Sequence, residues 1–266
     1  MTLQILLSTM NQKNIDLIYK MNINTDCVII NQCNLEDKKE YLINDKIIKF
    51  ISCKKRGLSA SRNDALKHAS SEICLLADDD LEYVKNYSDI IIKNFKENTD
   101  IDIIVFQVEG KNGTFKTYPN KEKDIGYIRS LKISSVEIAF RLESIKRNNI
   151  LFNELLGTGS KYKMGEENEF LFKCLRAGLK IKYLPIKIAD LELGNSTWFN
   201  GFDKEYFFSR GAAFTAMSSI FYWVLILQFA IRHYKDYKND IGIFQCLLYM
   251  FRGHKSYKID RKEVIK

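Results

Sequence analysis

Short apolar runs alternate with amphipathic segments along the first half of the chain. The runs have the length of strands, whereas the segments between them repeat their apolar residues with helical spacing. We predict strands at Leu3–Ser8, Asp26–Asn31, Lys46–Ser52, Ile73–Ala77 and Ile101–Val108, separated by helices at Gln12–Met21, Ser59–Ala69 and Val84–Asn98. This order is typical of βαβ units, so the predicted fold class is α/β, with a mostly parallel sheet flanked by helices.

The second half of the chain begins with the polar segment Gly110–Lys132, which we expect to form a mobile loop. Further elements are predicted at Ser134–Phe140, Leu142–Asn148, Phe170–Ala177, Lys180–Pro185 and Ile186–Ala189. The glycine-rich segment Leu155–Gly165 leads into Glu166 and Glu167 at the start of a helix. Acidic residues at a helix N-terminus need no function, because the helix dipole favours them, but their place after a glycine-rich loop makes them candidates.

Polar residues follow three of the predicted strands at the point where each strand ends. They are Ser8-Thr9, Asn31-Gln32 and Asp78–Asp80. Ligands bind outside the carboxyl ends of parallel strands, so these clusters predict a binding crevice. Carboxylates are hard oxygen ligands that suit Mg²⁺ and Mn²⁺, which makes the three aspartates candidate metal ligands. A solvated acidic turn with a helix cap is the alternative interpretation.

A basic segment, Lys54–Gly57, follows the third predicted strand and leads into the helix that carries Arg62. Cations beside a helix N-terminus suit an anionic ligand such as a diphosphate. The chain contains neither the GxxxxGK[ST] motif of P-loop proteins nor the GxGxxG motif of dinucleotide-binding proteins. The sequence therefore supports neither of those two phosphate sites.

Four segments taken together resemble the pattern of glycosyltransferase family 2. They are GLSASRNDAL at 57–66, LLADDD at 75–80, GEENEFLFKCLRAG at 165–178 and GNSTWF at 194–199, in the family's order and spacing. The resemblance implies the GT-A fold of nucleotide-diphospho-sugar transferases, with a Rossmann-like sheet. The implied organisation is a nucleotide-sugar-binding half, an acceptor and catalytic half, and a helical basic C-terminal extension, at 1–109, 110–200 and 201–266.

The resemblance also implies an activity. It indicates a metal-dependent, inverting glycosyltransferase that moves a hexose from a nucleotide-diphosphate donor, in particular a UDP-hexose. The implied acceptor is a glycan or lipid-linked glycan in the synthesis of a bacterial surface polysaccharide. The alternative is a non-catalytic GT-A-like binding protein or partner subunit at the membrane. A nucleotidyltransferase would also use strand-end aspartates and a metal, but the first strand leads into a segment without glycine.

The family's donor and metal positions can be carried over residue by residue. The resemblance places metal ligands at Asp78 and Asp80, which would hold Mn²⁺ or Mg²⁺ against the donor diphosphate. Asp79 matches a position that contacts the donor ribose or sugar. Thr9 and Asn31 fall where the family contacts the nucleoside, and Asn31 stands where most members have an acid.

The remaining implied roles concern the donor loop and the acidic pair. Gly57 and Arg62 lie in the family's donor-binding loop and its helix. Glu166 and Glu167 occupy the position of a pair that is usually Glu-Asp, so Glu167 would be the general base. Because its side chain is one methylene longer than Asp, the choice between Glu166 and Glu167 stays open.

Two late positions complete the implied site. Many family members add a histidine or an acid to the metal site here, and none of the three histidines lies within 186–196. Asp190 and Glu192 are therefore candidates, although either could be a solvated strand end. Trp198, next to Phe199, is a candidate platform for a sugar ring or lipid acceptor, with core packing as the alternative.

Composition narrows the class of protein. The chain has 266 residues, 46% of them hydrophobic, six cysteines without a CxxC pair, and a net charge of +8. It can bury a full core, and we expect reduced thiols and no zinc site. The N-terminal segment lacks the basic region of a signal peptide, so we expect a cytoplasmic protein. No aromatic-plus-basic motif indicates nucleic-acid binding.

The C-terminal part combines an apolar run with a basic tail. Gly211–Ile231 is 21 residues long and contains no charged residue, and residues 232–266 hold nine Lys and Arg against four Asp and Glu. The run could span a bilayer, lie in the plane of the inner leaflet, or pack on the catalytic domain. The basic tail favours an anionic membrane surface, so we predict peripheral attachment to the cytoplasmic face of the membrane.

Overall fold

The computed structural model describes residues 1–193 and 201–265, with side chains up to residue 263. The GNSTWF segment and its Trp198 lie outside these ranges, so the predicted acceptor platform stays a prediction. The described residues form two compact units. The first, here called the sheet unit, comprises residues 1–56, 60–152 and 170–193. The second, the helical unit, comprises residues 57–59, 153–169 and 201–265.

The sheet unit contains a ten-stranded sheet in the described residues. The strands are β1 (Leu3–Met10), β2 (Asp26–Gln32), β3 (Asp37–Ile43), β4 (Lys46–Cys53), β5 (Ile73–Asp78), β6 (Leu81–Tyr83), β7 (Ile103–Gly110), β8 (Lys123–Asp124), β9 (Ile138–Arg141) and β10 (Ile181–Leu191). Their spatial order is β3-β4-β2-β1-β5-β9-β7-β10-β6, and β8 pairs with β10. The helices are α1 (Leu17–Lys20), α2 (Leu58–His68), α3 (Tyr87–Glu97), α4 (Tyr127–Ser130), α5 (Leu142–Arg147) and α6 (Glu166–Arg176), of which α2 and α6 contribute residues to both units.

The core of the sheet is parallel, as predicted. Strands β4, β2, β1 and β5 run parallel to one another, and β7 runs parallel to β10. Strand β3 pairs antiparallel with β4, and β9 pairs antiparallel with both β5 and β7. Alternate residues of β1 pack on opposite faces, Ile5 with the core around α3 and Leu6 with the core around α2. Strands that are buried on both faces need apolar side chains on both faces, so they occur in the sequence as continuous apolar runs. The mixed α/β fold class is thus confirmed.

Several elements differ from the prediction. Strands β6 and β8 and helix α4 were not predicted, the strand predicted at Ser134–Phe140 is a 3-10 turn followed by β9, and the segments Lys180–Pro185 and Ile186–Ala189 form the single strand β10. The two largest differences concern β3 and α1. Strand β3 was not predicted, because it is an edge strand whose exposed residues show no apolar alternation, and it pairs with β4 through a turn at Asn44-Asp45. The helix predicted at Gln12–Met21 is reduced to α1. Asn14 and Asp16 form a local hydrogen-bonded turn that competes with the helix.

The strand ends meet in register at one edge of the sheet. Thr9 of β1 lies beside Asn31 of β2, and Ser8 lies beside Asp78 of β5. The polar residues that follow these strands are therefore neighbours in space, as the parallel arrangement requires.

The helical unit is built mainly from four helices. They are α7 (Lys204–Met217), α8 (Tyr222–Arg232), α9 (Tyr234–Tyr237) and α10 (Ile243–Ile265). The uncharged run Gly211–Ile231 is divided between α7 and α8, because the Ser218 hydroxyl accepts a hydrogen bond from the Phe221 amide and turns the chain. Among the residues that the structure describes, no helix is both long and apolar enough to cross a membrane. The predicted division at 109 and 200 is not tested and stays a prediction.

Helices α7 and α10 cross at two glycines. A Cβ on Gly253 would overlap the backbone carbonyl of Phe208, and one on Gly211 would overlap that of Met250. The atoms that an added Cβ would meet are backbone atoms, which cannot move aside as a flexible side chain can. The two helices can therefore approach this closely only because both positions lack a Cβ.

We expect Gly253→Ala to lower the free energy of unfolding by about 1–3 kcal/mol, the usual cost of overpacking a well-packed contact. Urea denaturation followed by circular dichroism measures the change. Gly242→Ala is the matched control, because the atom nearest to its new Cβ is Gln245 Oε1, at 3.8 Å. Equal stability of the two variants would contradict the close crossing.

Candidate active site

In the sheet unit, the end of β1 is joined to the aspartate triplet. The Thr9 hydroxyl donates a hydrogen bond to the Asp79 carboxylate. The Ser8 hydroxyl accepts a hydrogen bond from Ser61 of α2, with 2.8 Å between the oxygens. The loop after β5 is therefore fixed to β1, while Asp79 itself remains exposed at the sheet edge.

Asn31 has an internal structural use. Its Oδ1 accepts from the Gln12 amide at 2.8 Å, and its Nδ2 donates to the Gln12 carbonyl at 2.9 Å and to the Ser52 hydroxyl at 3.2 Å. An acid at this position could not donate to a carbonyl, so Asn31 holds the loop after β1 in a way that the usual family residue does not. Its predicted contact with the nucleoside stays a prediction.

Asp78 and Arg62 form an ion pair beneath the sheet edge. Arg62 Nη2 lies 3.2 Å from Asp78 Oδ1 and donates to the Ser135 hydroxyl at 2.7 Å. The guanidinium is 1% exposed and also stacks over the Phe152 ring at 5.5 Å. A buried cation requires such compensation, which the Asp78 carboxylate and the Ser135 hydroxyl supply. The predicted donor contact of Arg62 and metal ligation by Asp78 stay predictions, and each side chain already has this internal partner.

Asp80 is electrostatically unlike its neighbours. Desolvation by the surrounding chain, followed by the negative charge of Asp78, raises the pKa of Asp80 to about 6. Asp79 and Glu192 add to the shift, and the Glu192 amide donates to the Asp80 carbonyl at 3.0 Å. A carboxylate crowded by other carboxylates is stabilised in its charged form by a bound cation.

The two candidates for a late ligand have different environments. Glu192 follows β10 and lies beside Asp80, as its backbone hydrogen bond requires. Asp190 Oδ1 lies 2.8 Å from Lys187 Nζ, in an ion pair that also includes Glu109. Glu192 therefore lies at the triplet while Asp190 is paired with Lys187, and metal ligation by either residue stays a prediction.

The donor set around Asp80 fits a hard divalent cation. In residues 1–193 and 201–265 no group of three or more His, Cys, Asp and Glu side chains has the arrangement of a self-sufficient metal site. Mg²⁺ in nucleotide-dependent enzymes usually takes one or two carboxylates and completes its shell with substrate phosphates and water. Exposed Asp80, with exposed Glu192 beside it, matches that pattern of one or two carboxylates.

In the helical unit, Gly57 lies against the glycine-rich loop. The amide of Leu58, the next residue, donates to the Thr158 carbonyl at 2.9 Å, and the Ser59 hydroxyl donates to the Leu156 carbonyl at 2.7 Å. These bonds tie the start of α2 to residues 153–165. The predicted role of Gly57 in donor binding stays a prediction.

Glu166 and Glu167 form the first turn of α6 and differ in exposure. Glu166 is buried against Gly157, where a Cβ would lie 3.0 Å from the Glu166 carboxyl carbon and where φ is +99°. Glu167 is half-buried. The glycine-rich loop thus makes room for the Glu166 carboxylate, whereas Glu167 keeps part of its surface available to a ligand.

The sequence analysis did not identify a buried carboxylate behind the sheet edge. Glu137 is fully buried, lies 2.5 Å from Lys116 Nζ, and accepts hydrogen bonds from the Tyr118 hydroxyl and, at 2.7 Å, from the Ser134 amide. Burial raises the pKa of Glu137. The cluster anchors the segment that was predicted to be a mobile loop. The spacing of Ser134 and Glu137 is a capping box, which is a signal visible in the sequence.

Comparison with known families identifies the chain. The family model described as "Glycosyl transferase family 2" matches residues 8–163, which is more than half of the chain. The protein belongs to glycosyltransferase family 2. It is therefore a glycosyltransferase that uses a nucleotide-sugar donor, as the resemblance implied. A sequence comparison with curated proteins finds no significant match.

Solved structures of other proteins share the fold. Residues 1–349 of S. aureus TarS, solved with UDP-GlcNAc, superpose with a TM-score of 0.62 at 16% identity, covering 90% of this chain and 74% of that one. The chain covers 45% of a longer TarS structure. The mannosyltransferase PcManGT from Pyrobaculum calidifontis, solved with GDP-Man and Mn²⁺, superposes with a TM-score of 0.53 at 12% identity. The match covers 94% of this chain and 69% of that one. The predicted GT-A-like fold is thereby confirmed.

Proposed function

We propose that this glycosyltransferase moves a hexose from a UDP-sugar to a glycan or lipid-linked glycan acceptor in the synthesis of a surface polysaccharide. The observation that carries the proposal is the placement of Asp80 beside Glu192, at the carboxyl ends of the strands of the sheet. Desolvation and neighbouring carboxylates raise the pKa of Asp80. A divalent cation that arrives with a diphosphate donor would offset the negative charge of those carboxylates. The TarS structure with UDP-GlcNAc supports the choice of a UDP-sugar.

Asp80 and Glu192 would hold Mn²⁺ or Mg²⁺ together with the donor diphosphate. Asp78, the other metal ligand that the family resemblance implies, is paired with Arg62. When bound, the cation neutralises charge on the departing diphosphate. Arg62 holds Asp78, and Thr9 holds Asp79, so that the loop after β5 keeps one arrangement. Preorganised carboxylates need no rearrangement when the donor binds.

Glu167 is the proposed general base. The acceptor hydroxyl oxygen forms a bond to the anomeric carbon, the bond from that carbon to the diphosphate oxygen breaks, and the hydroxyl proton passes to the Glu167 carboxylate. The products are the inverted glycoside and the nucleoside diphosphate. Glu166, buried against Gly157, fixes the first turn of α6 and thereby the position of Glu167.

The acceptor and the basic tail together suggest a location. We place the enzyme on the cytoplasmic face of the membrane, peripherally attached, where a lipid-linked acceptor is accessible. Nine basic against four acidic residues in 232–266 support an anionic surface as the partner.

The test is a panel of nucleotide sugars, incubated with Mn²⁺, with Mg²⁺ or with EDTA, with a membrane extract as the source of acceptor. Release of nucleoside diphosphate is measured. We expect turnover of a UDP-hexose that EDTA abolishes and excess Mn²⁺ restores. Turnover of a GDP-sugar alone would contradict the donor assignment, and activity that is unaffected by EDTA would contradict the metal. Nucleotide binding without turnover of any donor would favour the non-catalytic alternative.

A further inference from the structure

The outward side of α8 is apolar along its whole length. Trp223, Val224, Leu227 and Ile231 are exposed and recur at intervals that place them on one side of the helix. The turn before the helix adds two further exposed apolar residues. We call this set the α8 face: Ile220, Phe221, Trp223, Val224, Leu227 and Ile231.

The opposite side of α8 is apolar as well. Leu225, Ile226, Phe229 and Ala230 are buried within the helical unit. A surface helix usually pairs one apolar side with one polar side. Helix α8 is apolar on both of these sides apart from Gln228 and the terminal Arg232, so its exposed side calls for a second apolar environment. Exposed apolar patches of this extent mark interaction sites in soluble proteins.

Cations lie at both ends of the α8 face. At its C-terminal end, Arg232 and Lys235 are exposed. At its N-terminal end, the Tyr222 ring stacks on His254 of α10 with 3.8 Å between centroids, and the exposed Lys255 and Lys258 follow His254 by one and four residues on the same helix.

The acidic groups beside these cations are few. Asp236 accepts from His233 Nδ1 at 2.8 Å, and Asp260, near the end of α10, pairs with Lys161. Arg232 follows Ile231 directly and therefore lies at the C-terminal end of the face. The α8 face is therefore an apolar strip between two basic ends.

We propose that the α8 face docks the protein on an anionic lipid bilayer, with the helix lying in the plane of the interface. Apolar and aromatic side chains enter the boundary between headgroups and acyl chains, and the basic ends contact anionic headgroups. This inference gives a residue-level basis for the peripheral location in the proposed function, but it does not depend on sugar transfer.

A second copy of the chain fits the same face less well. In either relative direction of two α8 helices, the basic ends of one copy would meet the basic ends of the other, and desolvated like charges repel. An anionic bilayer offers an apolar environment to the strip and negative charges to the cations. Charge complementarity therefore selects the lipid surface.

The experiment is co-sedimentation of the full-length protein with vesicles, compared between phosphatidylcholine alone and phosphatidylcholine mixed with phosphatidylglycerol. The wild type should bind the anionic vesicles, and added salt should weaken the binding. The double variant Phe221→Ser with Ile231→Ser should bind at least about tenfold more weakly, because each side chain of this size contributes roughly that factor when it leaves water. These side chains are 62% and 70% exposed, so the fold should be preserved.

The matched control is Leu35→Ser with Leu42→Ser, which removes two side chains of similar exposure, 69% and 74%, from the sheet unit. It should bind vesicles like the wild type. Lys255→Gln with Lys258→Gln should reduce binding to anionic vesicles and its sensitivity to salt. Equal binding by the α8-face variant and the wild type would overturn the proposal. So would a dimer in sedimentation velocity that the α8-face variant abolishes while vesicle binding is absent.

Discussion

Asp80→Asn lowers kcat/KM for sugar transfer by at least ~10²-fold in the proposed mechanism, because neutralising charge on the leaving group is worth several kcal/mol. The substitution keeps the shape of the side chain and removes the charge that the cation would balance. Steady-state rates measured across a titration of Mn²⁺ give the effect, and the apparent affinity for Mn²⁺ should fall in parallel.

Asp190→Asn is the matched control for this prediction. It removes the same charge from the same region of the sheet unit, but Asp190 is paired with Lys187 and should leave the affinity for Mn²⁺ near that of the wild type. Glu192→Gln should weaken Mn²⁺ binding, because Glu192 lies beside Asp80. If Asp190→Asn had the larger effect on Mn²⁺ affinity, the assignment of the late ligand would be reversed.

Glu167→Gln should lower kcat by ~10²–10⁴-fold, the range that a positioned general base contributes. Its effect on donor binding should be small, so isothermal titration with the nucleotide is expected to give the affinity of the wild type. Glu167→Asp should recover part of the rate, since it restores the carboxylate with a shorter reach. The measurement is kcat with saturating donor and acceptor.

Glu166→Gln distinguishes the two members of the acidic pair. Glu166 is buried against Gly157, so this variant should lower the melting temperature and reduce kcat less than Glu167→Gln does. A larger loss of kcat in Glu166→Gln at unchanged stability would make Glu166 the base. That outcome would also indicate that the extra methylene of Glu167 moves its carboxylate out of reach of the acceptor hydroxyl.

The sequence indicated which residues could carry the chemistry, and the structure adds the surroundings of each. Asp80 and Glu192 were both candidates, and the structure brings them together at the sheet edge. Arg62, expected beside the donor, has its guanidinium on Asp78 and Ser135. The expected and the observed partners of Arg62 differ because the residue type indicates only which kinds of partner suit a side chain. Which partner comes within reach is decided by segments that are distant in the sequence.

The apolar run Gly211–Ile231 also shows what the sequence indicates and what only the folded chain decides. Its lack of charge indicated an apolar environment, but the length of the run suggested one helix, whereas the chain turns at Ser218 into α7 and α8. Ser218 and Ser219 mark that turn in the sequence, since serine hydroxyls compete for backbone amides. Exposure of the α8 face could be seen only in the folded chain, because both sides of this helix are apolar.

The sequence by itself determined the parallel core and the family, because strands buried on both faces must be apolar throughout and the motifs occur in order along the chain. The tertiary structure alone decided the edge strand β3, the pairing of Asp78 with Arg62, the burial of Glu137 and the place of Glu192. The physical reason is that periodicity records only whether a residue is buried. Hydrogen bonds, ion pairs and pKa shifts arise between segments that are far apart in the chain and meet only on folding.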